Sequence, residues 1–91
     1  MNDKPQTDHA NAYLQVMPRH ERGPRAPRWH VFQVSDQSPR ITLAGSVSSC
    51  EEARKLAAHD HRPLRIAAQA WQEMLAAGVA PAKTPNDVTL A

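Results

Sequence analysis

Trp29-His30-Val31-Phe32-Gln33-Val34, then Ser35-Asp36-Gln37-Ser38-Pro39, then Arg40-Ile41-Thr42-Leu43-Ala44-Gly45-Ser46-Val47 is the stretch that decides the fold. Its first six residues are aromatic or β-branched at four positions, which suits a pleated, half-buried surface. The next five carry turn chemistry: Asp and Ser bond to nearby backbone, and Pro presets φ. The last eight alternate, with Ile41, Leu43 and Val47 on one face and expected to point inward. An antiparallel β-hairpin over 29–34 and 40–47 is the reading. Phe32 and Val34 fall on one face of its first strand, and Trp29 and Val31 on the other. One of those pairs must look away from whatever covers the hairpin.

Ser48-Ser49-Cys50-Glu51-Glu52 follows directly. Each serine has a glutamate three or four residues on, the pattern of a capping box, and acids in a first turn suit the helix dipole. A helix over about 49–59 is predicted, burying Cys50, Ala53, Leu56 and Ala57. His61-Arg62-Pro63 breaks it, because a residue before proline disfavours the α region. Pro63 can open a second helix at its first turn. Leu64, Ala67, Ala68, Trp71 and Leu75 recur at helical spacing, so that helix is predicted over about 63–77. Gly78 and Pro81 end it. The fold class is therefore α+β, a hairpin followed by two helices.

Outward from this centre the pattern weakens. Residues 1–27 read as an arm lacking the apolar content of a core, and 18–28 hold three prolines and a glycine, which exclude a continuous helix or central strand. Ala12 to Met17 is the one apolar cluster in the arm, a candidate third strand or short helix. Residues 28–80 form the domain, and 81–91 read as a flexible tail in which 87–90 could add an edge strand.

Composition narrows the functional classes. Ninety-one residues make one domain. Chains this short bury only about 60% of their unfolded surface, and their stability lies at the low end of ~5–15 kcal/mol. Cys50 is the one cysteine, which excludes an intrachain disulfide and fits a reducing compartment. Met1 to Asp8 carries no apolar core of the signal-peptide kind, and no apolar run approaches the ~20 residues of a membrane helix. A soluble, cytoplasmic protein with no membrane partner is expected. The net charge of +2 forces no partner. Eight of the eleven basic residues are arginine and alanine is the commonest residue. In composition and size the chain resembles short proteins of high-GC proteobacteria such as Burkholderia. That resemblance covers no motif and implies no chemistry.

The motifs of chemistry are weak. His59-Asp60-His61 offers three potential metal ligands, but a structural zinc site wants four and Cys50 lies at the other end of the helix. Cys50 in a first turn is offset by Glu51 and Glu52, so an inert thiol is the reading. Ser46, Ser48 and Ser49 have no triad spacing. The three glycines are isolated, so no phosphate loop exists. No catalytic residue, metal, cofactor or small-molecule ligand is assigned, and an enzyme is not expected.

Two binding readings remain. Helix 63–77 carries a second apolar stripe of Ile66, Ala70, Met74 and Ala77, and the two stripes span roughly 200° at ~100° per residue. With the outward pair of the hairpin this makes more apolar surface than the hairpin can cover. Trp29, Val31, Ile66 and Met74 are thus candidate contacts with another protein or a second copy. The alternative uses the arm, where Arg19, Arg22, Arg25 and Arg28 could neutralise phosphates. The layout is similar to the arm-binding domains of phage-type integrases in its hairpin, serine cap and Glu52-Ala53 pair, which implies nucleic-acid binding.

Overall fold

The computed structural model describes residues 12–19, 27–36 and 39–91. The elements are β1 (Tyr13–Val16), β2 (Trp29–Val34), β3 (Ile41–Val47), α1 (Cys50–Asp60), β4 (Leu64–Ile66), α2 (Ala68–Ala76) and β5 (Val88–Leu90). They build one mixed sheet in the order β3-β2-β1-β4-β5. The α+β class and the hairpin are as expected. The parts of the predicted arm at 1–11 and 20–26 lie outside the described residues.

Of the two alternatives for the cluster at 12–17 the strand is the one formed, and it is the middle strand of the sheet rather than part of an arm. β1 pairs antiparallel with β2, Tyr13 opposite Val34 and Val16 opposite Val31. On its other side it pairs in parallel with β4, Leu14 opposite Leu64 and Val16 opposite Ile66. The Leu14 amide donates to the Pro63 carbonyl at 2.9 Å and the Ala67 amide to Val16 at 3.0 Å. Leu14 and Val16 are both fully buried.

That pairing explains the first correction. Residues 64–66 are a strand rather than the first turn of helix 63–77. Leu64 and Ile66 both point into the core, and Arg65 between them points the other way. Three residues cannot show a periodicity of their own. Parallel pairing with β1 outweighs helix propensity here, as tertiary contacts routinely do. α2 is thus shortened to nine residues and starts without a side-chain cap. Its Ala68 amide donates instead to the carbonyl of Ala91 at 3.0 Å.

Ala91 can do this because Val88–Leu90 form the edge strand that 87–90 could add. β5 runs parallel to β4, Val88 opposite Leu64 and Leu90 opposite Ile66. Val88 is buried, and Arg54 of α1 reaches both carboxylate oxygens of the neighbouring Asp87 at 3.1 Å.

The helices share one side of the sheet. A Cβ on Gly45 would lie 3.9 Å from Leu56 of α1, and the Trp29 indole bonds Glu73 of α2. α1 is capped as predicted: Ser49 Oγ accepts from the Glu52 amide, and the Glu52 carboxylate accepts from the Ser48 amide. His61 ends the helix in the left-handed conformation at φ 55°, bonding back to the last carbonyls. Under the helices lie Leu14, Val16, Trp29, Val31, Val47, Leu64 and Ile66, meeting Cys50, Ala53, Ala57, Ala70, Trp71 and Met74.

The second correction follows from a bulge. Val31 pairs with Gly45 but Phe32 pairs with Leu43, so Ala44 is an extra residue. One extra residue turns every side chain beyond it to the opposite face. Val47 therefore faces the helices, while Ile41 and Leu43, expected inward beside it, face away with 63% and 61% of their surface exposed.

Leu14→Ala should lose about 2–5 kcal/mol, the range for truncating a buried leucine. Urea melts of the full chain measure this. A loss under ~0.5 kcal/mol, the scale of a surface substitution, would mean that β1 is not in the core.

Candidate functional site

With both helices on one side, the other side of the sheet is uncovered among the described residues. Strand register assigns its side chains. Tyr13, Val34 and Ile41 form one row across β1, β2 and β3. Gln15, Phe32 and Leu43 form the next, extended by Arg65 of β4 beside Gln15. His30 and Ser46 form a third. The centre of this face is apolar: Ile41 and Leu43 are open to solvent, with Phe32 and Val34 half-buried beside them.

Its polar groups are basic or neutral. Arg65 lies over the Tyr13 ring, 4.7 Å from guanidinium carbon to centroid, a cation–π contact. Its Nε is buried without a hydrogen-bond partner among the described residues. His30 meets Phe32 edge-on, with centroids 6.3 Å apart. Arg28 donates to the Ser46 hydroxyl at 3.1 Å and to the Ser46 carbonyl at 2.8 Å. No strand of the sheet contains an acidic residue. The turn between β2 and β3 holds the exposed Asp36.

The residues singled out in the sequence lie elsewhere. Trp29, Val31, Ile66 and Met74 are all fully buried beneath the helices, and so form no outward face. The strand at 64–66 and the central β1 take up the apolar arc that a long helix would have shown. Trp71, on the same helix, is likewise buried. What marked the true surface in the sequence was Gly45, an isolated glycine inside a strand pattern, which is a bulge signal.

Two of the four arm arginines are engaged within the chain. The Arg19 guanidinium sits 5.7 Å from the Trp29 ring, and its amide donates to Glu73 Oε1 at 3.0 Å. Arg28 holds Ser46 as above. Arg22 and Arg25 lie outside the described residues. Among the described residues no three His, Cys, Asp or Glu side chains gather as a metal site, and no helix is long and apolar enough to cross a membrane. Burial pushes the Cys50 thiol up, away from the thiolate.

No protein-family model matches this chain. No curated protein and no solved structure matches it either.

Glu73 ties the two ends of this architecture together, since its Oε1 accepts from both the Trp29 indole at 2.9 Å and the Arg19 amide. Burial pushes its carboxyl up, but the bonds from Arg19, Trp29 and Gln69 and the Arg19 charge outweigh it, leaving the group below the usual glutamate range. A carboxyl lowered on folding contributes stability above its unfolded value and loses it as pH falls through the folded one. Glu73→Gln should therefore be less stable than the parent at pH 7, and the gap should narrow progressively as pH falls below the ordinary value of ~4.3. Urea melts at both pH values test this. A gap that stays constant would remove the Glu73 charge from the account.

Proposed function

We propose that this chain is a small protein-contact module and that the uncovered sheet face is where it meets its partner. The observation that carries this is the exposure of Ile41 and Leu43 on a face shared with Phe32 and Val34. Single exposed apolar residues are ordinary, but a contiguous apolar patch marks a contact site. The surface differs from the one predicted, while the class of function is the same.

The chemistry of the face favours protein over nucleic acid. Base-stacking platforms present open aromatic rings. Here the solvent-exposed centre is aliphatic, the Tyr13 ring already carries Arg65, and Phe32 packs against His30. The engagement of Arg19 and Arg28 inside the chain weighs in the same direction. No residue is assigned a catalytic role in this reading. A cytoplasmic setting accords with one buried, unpaired cysteine.

A photo-crosslinking amino acid placed at Leu43 tests the proposal, with Glu51, exposed on α1, as the control position. In cells of the natural host, position 43 should yield protease-sensitive adducts that Ile41→Ser suppresses. Position 51 should yield none. Equal adducts from both positions, nuclease-sensitive adducts, or none at all would overturn it.

A further inference from the structure

We infer that the uncovered face takes an acidic segment of another protein, its aliphatic side chains on the Phe32, Val34, Ile41 and Leu43 rows and a carboxylate on the Arg65 guanidinium. This rests on the contact reading above and names the chemistry of the partner.

Two independent observations carry it. The first is the apolar patch, which spans β2 and β3 at a strand spacing of ~4.8 Å, a width that suits one short segment. The second is the charge around it. Arg65 sits by register on the same face, one strand beyond Gln15 in the Phe32–Leu43 row. It is held in place by the Tyr13 ring, and its buried Nε lacks a partner among the described residues. A guanidinium held 4.7 Å over a ring is already partly ordered, and its fork matches the two oxygens of a carboxylate. None of the five strands carries an acidic residue to neutralise it, so the face is complementary to an acidic ligand.

The same charge pattern argues against a second copy stacked face to face. Each Arg65 would then approach a face with cations of its own and no strand carboxylate to receive it. A phosphate would also fit a guanidinium, but the exposed side chains beside it, Ile41 and Leu43, are aliphatic, the Tyr13 ring carries Arg65 and Phe32 meets His30, so the face offers bases a poor stacking platform.

Panning a random peptide display library against the immobilised full chain tests the inference. Selected peptides are then synthesised and titrated into the labelled protein by NMR. The expected peptides combine Asp or Glu with Ile, Leu or Phe and shift the signals of Tyr13, Phe32, Val34, Ile41, Leu43 and Arg65. Leu43→Ser and Arg65→Gln should each weaken binding tenfold or more, with melting temperatures near the parent's. Arg65→Lys should restore only part, because an ammonium cannot bond bidentately. Neutral or basic peptides on this face would overturn the acidic partner and leave the contact reading standing. Peptides that map to the helix side, or no selection at all, would overturn both. So would a thymidine 20-mer that moves the same signals with steep salt dependence, or a dimer by sedimentation whose interface is this face.

Discussion

Four residues, Tyr13 to Val16, hold the sheet together. β1 is bonded on one edge to β2 and on the other to β4. Without it the molecule separates into a β2–β3 hairpin and a three-residue β4–β5 pair, neither of which is stable alone. The strand comes from a segment separated from β2 by a proline-rich connection. Closing that connection costs entropy that grows only logarithmically with its length. Burying Leu14 and Val16 offsets this, at about 1.5–3 kcal/mol per large aliphatic side chain. Glu73 secures the connection where it passes α2, receiving the Arg19 amide just after β1 and the Trp29 indole at the start of β2.

Because β1 completes the sheet, both helices can close over one side of it. The buried residues of both helices, Cys50, Ala53, Ala57, Ala70, Trp71 and Met74, all join the core on that side. Among the described residues the other side keeps Ile41, Leu43, Phe32 and Val34 without a layer of its own. Magnitudes limit what this face can do. Covering Ile41 and Leu43 yields a few kcal/mol, against an association cost of roughly 4–15 kcal/mol. Apolar contact alone therefore gives weak, reversible binding. In the proposed contact, specificity then depends on a directional group, and Arg65 lies on the same face.

What could be read from the sequence was local. The hairpin rests on its own composition, the start of α1 on Ser49 and Glu52, and the break before β4 on Pro63. What could not be read depends on partners distant in the chain. Leu64 to Ile66 is a strand because β1 lies beside it, and Val88 to Leu90 is a strand because β4 does. The first shows no alternation of its own, and the second was legible only as an edge-strand alternative at 87–90. The candidate site failed for a related reason. The surplus of apolar residues was legible, but its position turned on Ala44, whose insertion reverses Ile41 and Leu43 relative to Val47. Once β1 and β4 were in place, Trp29, Val31, Ile66 and Met74 had neighbours on every side.

The central claim is that the outward apolar surface lies on the sheet and not on the helices. Solvent paramagnetic relaxation of methyl signals, with a soluble gadolinium chelate, measures this directly. The account predicts strong relaxation at the Ile41 and Leu43 methyls and protection at Leu14, Val16, Ile66 and Met74. Protected Ile41 and Leu43 with relaxed Ile66 and Met74 would contradict it.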